Sequence, residues 1–214
     1  MKVSGNAGSR ALLLTAAVVA VSWLASASTG ISWQGSVVWK ASGIALLALF
    51  AFRHRAVTAG IALLCSAAGD VFLDLRPQQM VAGMAAFGIA HVCYALAFRP
   101  LINRRTLTGP HLASAAAVLV VSIALLVRFF PGMGSLTVPG LGYHAIITLM
   151  VVMAMLSRAS IAAKAGAVLF MLSDSLIGFH LYCGLRPPAG SVWTTYAAAQ
   201  MLLAWSFANS AAES

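Results

Sequence analysis

Acidic residues are almost missing from this 214-residue chain: Asp and Glu together number four, and charged residues of either sign make up only 8%. Soluble globular domains carry roughly 25% charged residues, so a soluble fold is excluded. Cysteine is scarce as well. Cys65, Cys93 and Cys183 lie in apolar stretches without a CxxC spacing, which excludes a disulfide framework and a thiolate metal site. They read as small packing residues. No linker is long enough to separate a second domain. There is no GxSxG elbow, no Gly-rich phosphate loop and no Ser-His-Asp nucleophile pattern. A histidine with two carboxylates could in principle suit zinc or iron. However, no HxxxH or HxxE pair shares a helix, so neither a metal nor another cofactor is expected.

What is abundant is apolar. The chain is 61% hydrophobic, with a mean hydropathy of +0.94. Its apolar runs are long enough to cross a hydrocarbon core of ~30 Å as helix, whereas a membrane barrel would show ~10-residue alternating segments. The expectation is an all-α, polytopic integral membrane protein of eight transmembrane helices forming a single domain over 1–214. The spans fall near 11–27, 36–53, 56–75, 80–98, 110–130, 140–157, 163–184 and 192–209. The formal net charge of +9 does not indicate nucleic acid, because the cations sit between apolar segments and form no basic stripe.

The loop cations orient the chain. With the N-terminus inside, the inner side holds Lys2, Arg10, Arg53, Arg55, Arg99, Arg104, Arg105, Arg158 and Lys164. The outer side holds Arg76, Arg128 and Arg186. Both termini are therefore expected in the cytoplasm, with the chain in a bacterial plasma membrane. The first span has a rival reading as a signal peptide, since Lys2, Arg10 and a following "ASAS" at 25–28 fit that pattern. A weak repeat sets spans 3 and 4 on spans 7 and 8, with Asp70 near Asp174 and His91 near Gln200. The offset is four spans, so the two copies run the same way, as a 4+4 parallel pseudo-repeat with its axis along the membrane normal.

Three of the four acids, Asp70, Asp74 and Asp174, sit inside apolar spans; Glu213 is in the tail. An ionisable group inside a membrane helix costs ~2.5–3.5 kcal/mol and usually faces a functional interior. The other polar residues in the spans are Lys40, His91, Tyr94, Tyr143, His144, Ser173, His180, Tyr196 and Gln200. Counting at 1.5 Å per residue places Lys40, Asp70, His91, Asp174, Tyr196 and Gln200 between the midplane and one face, where they could line one cavity. Asp70 and Asp74 are four residues apart and share a helix face, as do Tyr196 and Gln200. Blander readings stand beside this one. Asp74 could face head groups or pair with Arg76, and Lys40 could snorkel to the interface or pair with an acid. His91 could be a packing residue, and His144 and His180 read as structural or interfacial. Trp23, Trp33, Trp39 and Trp193, near span ends, read as interfacial belt residues.

The same residues carry a resemblance. "SAAGDVFL", "GMAAFGIAHVCYALAF", "GAVLFMLSDSLIGF" and "YAAAQMLLAWS" resemble, in order, the motifs of the YhhN family of membrane proteins, whose characterised members are lysoplasmalogenases. The similarity runs from about Lys40 to Ser206. It departs at the second span, where the family often has Lys-Pro and this chain has Lys40-Ala41. The resemblance implies hydrolysis of the vinyl ether bond of a lysoplasmalogen or related ether lysolipid. It also implies a site drawn from Lys40, Asp70, His91, Tyr94, Tyr143, Ser173, Asp174, Tyr196 and Gln200, to which the shared face of Asp70 adds Asp74.

The chemistry such a reaction needs is a general acid, a stabilising anion and a positioned water. Two carboxylates in unlike surroundings can divide these roles. On this reading Asp174, the deeper, is the acid. Asp70 is the base and cation stabiliser, His91 orients, and the loop arginines or Lys40 hold the lipid phosphate. The partner is a lysophospholipid taken from the bilayer, and a homodimer is compatible with so small a chain. The competing class is a proton-coupled transporter built on the same acids. A retinal-type receptor is weaker still, because Lys40 is early and shallow.

Overall fold

The computed structural model describes residues 7–104 and 107–212; Lys2, Arg105 and Glu213 lie outside them. Within that range the chain forms eight long helices: α1 (Ala7–Ser22), α2 (Trp33–Arg53), α3 (Val57–Asp74), α4 (Met80–Phe98), α5 (Gly109–Phe129), α6 (Thr137–Leu156), α7 (Ile161–Cys183) and α8 (Ser191–Ala212). Seven are long and apolar enough to cross a membrane. The remaining one, α8, is of similar length and carries Thr194, Thr195, Tyr196 and Gln200 among its apolar residues. Every expected span is present to within a few residues, and α1 continues into a 3-10 turn at Trp23–Ser28.

Local chemistry sets the boundaries. Ser32 and Ser160 cap α2 and α7, their hydroxyls accepting from the amides of Gly35 and Ala163 at 3.2 Å, which satisfies donors that a helix start leaves free. Gly184 closes α7 in the left-handed region, at φ 68°, which a residue without Cβ adopts at little cost. Pro110 and Pro139 fall in the first turns of α5 and α6, where no amide hydrogen is needed.

The helices pack through small residues, as membrane bundles do where backbones must approach closely. A Cβ on Gly43 of α2 would stand 3.0 Å from Ala20 of α1, and one on Gly166 of α7 would stand 3.0 Å from the carbonyl of Ala199 on α8. Ala16 and Ala20 are fully buried, so α1 is an integral part of the bundle. Leu14, Val18, Val120, Val127 and Val138 are among the large apolar side chains turned outward, as lipid-facing surfaces are. Most sequential helices pack on one another, and the two most extensive contacts between helices that are not sequential set α2 on α8 and α6 on α4. Renumbering by four exchanges these two contacts. The arrangement brings one end of α2, α3, α4, α6, α7 and α8 around a common interior.

Candidate active site

Two carboxylate clusters occupy that interior. In the first, Lys40 of α2 reaches across to α3. Its Nζ lies 2.9 Å from Asp74 Oδ2 and 3.8 Å from Asp70 Oδ1. Tyr196 of α8 donates its hydroxyl to Asp70 Oδ2 at 2.7 Å. Asp70 is 5% exposed and Tyr196 4%, so this carboxylate is buried with both a cation and a hydroxyl donor beside it, which is what a buried charge requires. The i,i+4 face shared by Asp70 and Asp74 is thus read by a single lysine. Asp74 pairs with Lys40, not with Arg76; Arg76 stands over the Trp33 ring at 5.6 Å.

Tryptophan shapes this cluster. The Lys40 ammonium sits 5.0 Å from the ring centre of Trp23 and 5.4 Å from that of Trp193, in reach of cation–π attraction to both. Each indole is fixed through its Nε1–H: Trp193 donates to the carbonyl of Ala20 at 2.7 Å, and Trp23 to Ser36 at 3.0 Å. The expectation of interfacial belt tryptophans is therefore corrected for this pair. Trp193 is 5% exposed and, with Trp23, walls in the lysine. A signal for Trp193 was present, since it lies three residues before Tyr196 and so on the same face of α8. Trp23 carried none.

The second cluster is built by α4, α6 and α7. Tyr143 donates its hydroxyl to Asp174 Oδ2. The same hydroxyl oxygen lies 3.0 Å from His91 Nε2, and His91 Nε2 lies 3.4 Å from Asp174 Oδ2. With the tyrosine proton given to the carboxylate, the histidine must donate its Nε2–H to the tyrosine oxygen. His91 is fully buried, and its Nδ1 has no hydrogen-bond partner among the described residues.

An aromatic partition stands between the clusters. Phe170 of α7 packs edge-on against His91 at 4.5 Å and Tyr196 at 5.4 Å between ring centres. Phe87 of α4 meets both Phe170 and Tyr196. Both phenylalanines fall inside the stretches that carry the family resemblance, but nothing in their spacing shows that they stand between the acids.

Other residues expected at the site hold it together from further off. Tyr94 donates to Gln200 Oε1 at 2.6 Å, tying α4 to α8 where both side chains are fully buried. Ser173 donates to the carbonyl of Val192 at 2.9 Å, tying α7 to the start of α8. His144 meets Ser122 of α5 at 2.7 Å, in keeping with its structural reading.

Asp174 opens onto a cavity of about 730 Å³, its mouth included, between the ends of α3–α7. Its walls are Leu73, Met80, Met84, Phe129, Met133, Ile147, Met171 and Leu181, with Tyr143, His144, Ser175 and Tyr182 as polar members. A single carboxylate at the wall of an apolar chamber suits a long-chain substrate whose one polar, reactive group meets that acid. Among the described residues, no three His, Cys, Asp or Glu side chains converge as metal ligands. A second, shallow depression lies over the first cluster and is lined by Trp23, Trp33, Ser36, Asp74 and Arg76.

The chain is similar to proteins named lysoplasmalogenase. It is 37% identical over 152 residues to one from Mycobacterium bovis, a match that covers 68% of this chain and 58% of that protein's length. It is 32% identical over 204 residues to lysoplasmalogenase TMEM86A of Bos taurus, covering 89% of this chain and 84% of the relative. To lysoplasmalogenase TMEM86B of Homo sapiens it is 36% identical over 153 residues, covering 66% and 59%. No solved structure matches it. The model of the YhhN family matches residues 35–207, a stretch that holds both carboxylate clusters, and the chain belongs to that family.

Proposed function

We propose that this chain is a membrane hydrolase that cleaves the vinyl ether bond of a lysoplasmalogen, or of a related ether lysolipid. The products are a fatty aldehyde and glycerophosphoethanolamine or glycerophosphocholine. The observation that carries the reading is Asp174, held by Tyr143 and His91 at the wall of an apolar chamber, in a chain whose relatives bear the name lysoplasmalogenase.

Vinyl ether hydrolysis begins with transfer of a proton to the β-carbon of the alkenyl group. The resulting oxocarbenium ion is captured by water at the carbon bonded to oxygen. The hemiacetal so formed loses the glycerol oxygen as an alcohol and leaves the aldehyde. Asp174 delivers the first proton. Tyr143 and His91 fix its Oδ2. Once it has given its proton to carbon, the Asp174 carboxylate takes one back from the attacking water, which reloads the acid. Asp70, beside Lys40 and Tyr196 behind the aromatic partition, acts only through its negative charge, which favours the cation. Lys40 is committed to Asp74 and Asp70, so the lipid phosphate is assigned to Arg76, which lines the outer depression with Asp74.

The loop cations favour an orientation with this end of the bundle in the outer leaflet of the plasma membrane and both termini cytoplasmic; the mycobacterial relatives support a bacterial setting. Each of the eight helices runs unbroken among the described residues, which favours a fixed site over the discontinuous helices of a carrier. The test is purified protein in detergent, incubated with an alkenyl lysophospholipid and its acyl analogue. The expected result is aldehyde from the alkenyl lipid and no fatty acid from the acyl one. Acyl hydrolysis, or release of neither product, contradicts the proposal.

A further inference from the structure

A third hollow lies on the outer surface of the bundle between α4 and α6, a groove of about 760 Å³, its open side included. It abuts the chamber. Met84 and Tyr143 line both, so these two side chains form a shared wall between the bilayer side and the cavity that holds Asp174. Its lining is apolar throughout apart from the Tyr143 hydroxyl, and that hydroxyl is already given to Asp174. The groove extends along α4 from Val81 to Val92. At 1.5 Å per residue that is ~16 Å, about the depth of hydrocarbon in one leaflet of a ~30 Å core.

We infer that this groove is the lateral entry path for a single hydrocarbon chain, which crosses the threshold of Met84 and Tyr143 to bring its polar end to Asp174. Three features favour a single chain over a second protein copy or a two-chain lipid. The groove shares two wall residues with the chamber. Its length matches one chain lying parallel to its neighbours in the leaflet. The threshold is closed by methionine, whose three rotatable bonds and unbranched form let it shift without loss of packing. The lipid identity of the ligand rests on the proposed function; the location of the path does not.

Two glycines allow the path to be blocked without disturbing the bundle. A Cβ added at Gly88 or at Gly142 would meet nothing within 4 Å, and neither residue belongs to the carboxylate clusters. The experiment uses a lysophospholipid carrying a photoreactive diazirine midway along its chain, incorporated with the full-length protein in nanodiscs, with adducts mapped by mass spectrometry. Adducts on groove residues and Met84, displaced by unlabelled lysolipid and reduced about tenfold or more in the Gly88→Leu/Gly142→Leu double variant, support the path. Adducts on other faces overturn it. So does labelling that the double variant leaves unchanged, or labelling displaced as readily by diacyl lipid. A double variant that turns a dimer into a monomer overturns it as well, by making the groove an interface between copies. Groove adducts in a protein that releases no aldehyde uphold the path and remove the proposed reaction instead, so the two failures are told apart.

Discussion

The His91 imidazole and the Tyr143 hydroxyl meet at 3.0 Å across 52 positions of sequence, and both converge on the same oxygen of Asp174. Three helices therefore hold one carboxylate. This is the kind of redundancy expected where a group must keep its position while its protonation changes.

Removal of the Tyr143 hydroxyl is the mildest intervention. Tyr143→Phe keeps the ring that packs against His91 at 5.4 Å and deletes only the hydrogen bonds. Stability should fall by about 1 kcal/mol, the net worth of one such bond. Turnover should fall by about 100-fold, in the range assigned to positioned proton transfer, with a changed pH–rate profile because Asp174 loses the hydroxyl that fixes its Oδ2. Thermal melting and aldehyde assays on the same preparation check both.

Lys40 should matter more for folding than for binding. Lys40→Met leaves Asp70 and Asp74 facing each other without a cation. Loss of one partner from a buried ion pair costs about 3–5 kcal/mol, so the variant should melt early or express poorly. Adding Asp74→Asn should recover much of that loss by removing one of the two orphaned charges. Failure of the second substitution to help would mean that the two tryptophans, and not the acids, are what the lysine holds.

Gly69 should tolerate no side chain. A Cβ there would come within 2.5 Å of the Phe87 ring, and Phe87 is wedged against Phe170 and Tyr196. Gly69→Ala should cost about 1–3 kcal/mol of overpacking and lower activity by displacing the aromatic partition. Gly109→Ala, at the start of α5, where a Cβ would meet nothing within 4 Å, is the control that should do neither.

Much of this was legible in the chain itself. Apolar run lengths located the eight helices, because a hydrocarbon core sets a minimum span that loops cannot imitate. The rarity of acids pointed to Asp70 and Asp174, since a charge in that setting is too costly to be incidental. The partners were less legible. Nothing in the spacing says that Lys40 would reach Asp74 on the next helix, and Tyr143 stood out only as one polar residue in an apolar span, with no sign that it would meet Asp174. Trp23 and Trp193 were misread, because a tryptophan near a span end looks the same from sequence whether it faces head groups or a buried lysine. The chamber walls were not readable at all: Met80, Met84, Met133 and Met171 are apolar residues in apolar surroundings, and only the packing of five helices shows which of them border a space.

The most direct measurement is aldehyde release from an alkenyl lysophospholipid by the wild-type protein and by Asp174→Asn, with folding of both verified by thermal melting. Asparagine keeps the shape of the side chain and can still accept from Tyr143, but it has no proton to give to carbon. The account predicts aldehyde from the wild type and none above background from a variant that melts as a folded protein. Normal turnover by folded Asp174→Asn would contradict it, because the proton would then have to come from elsewhere.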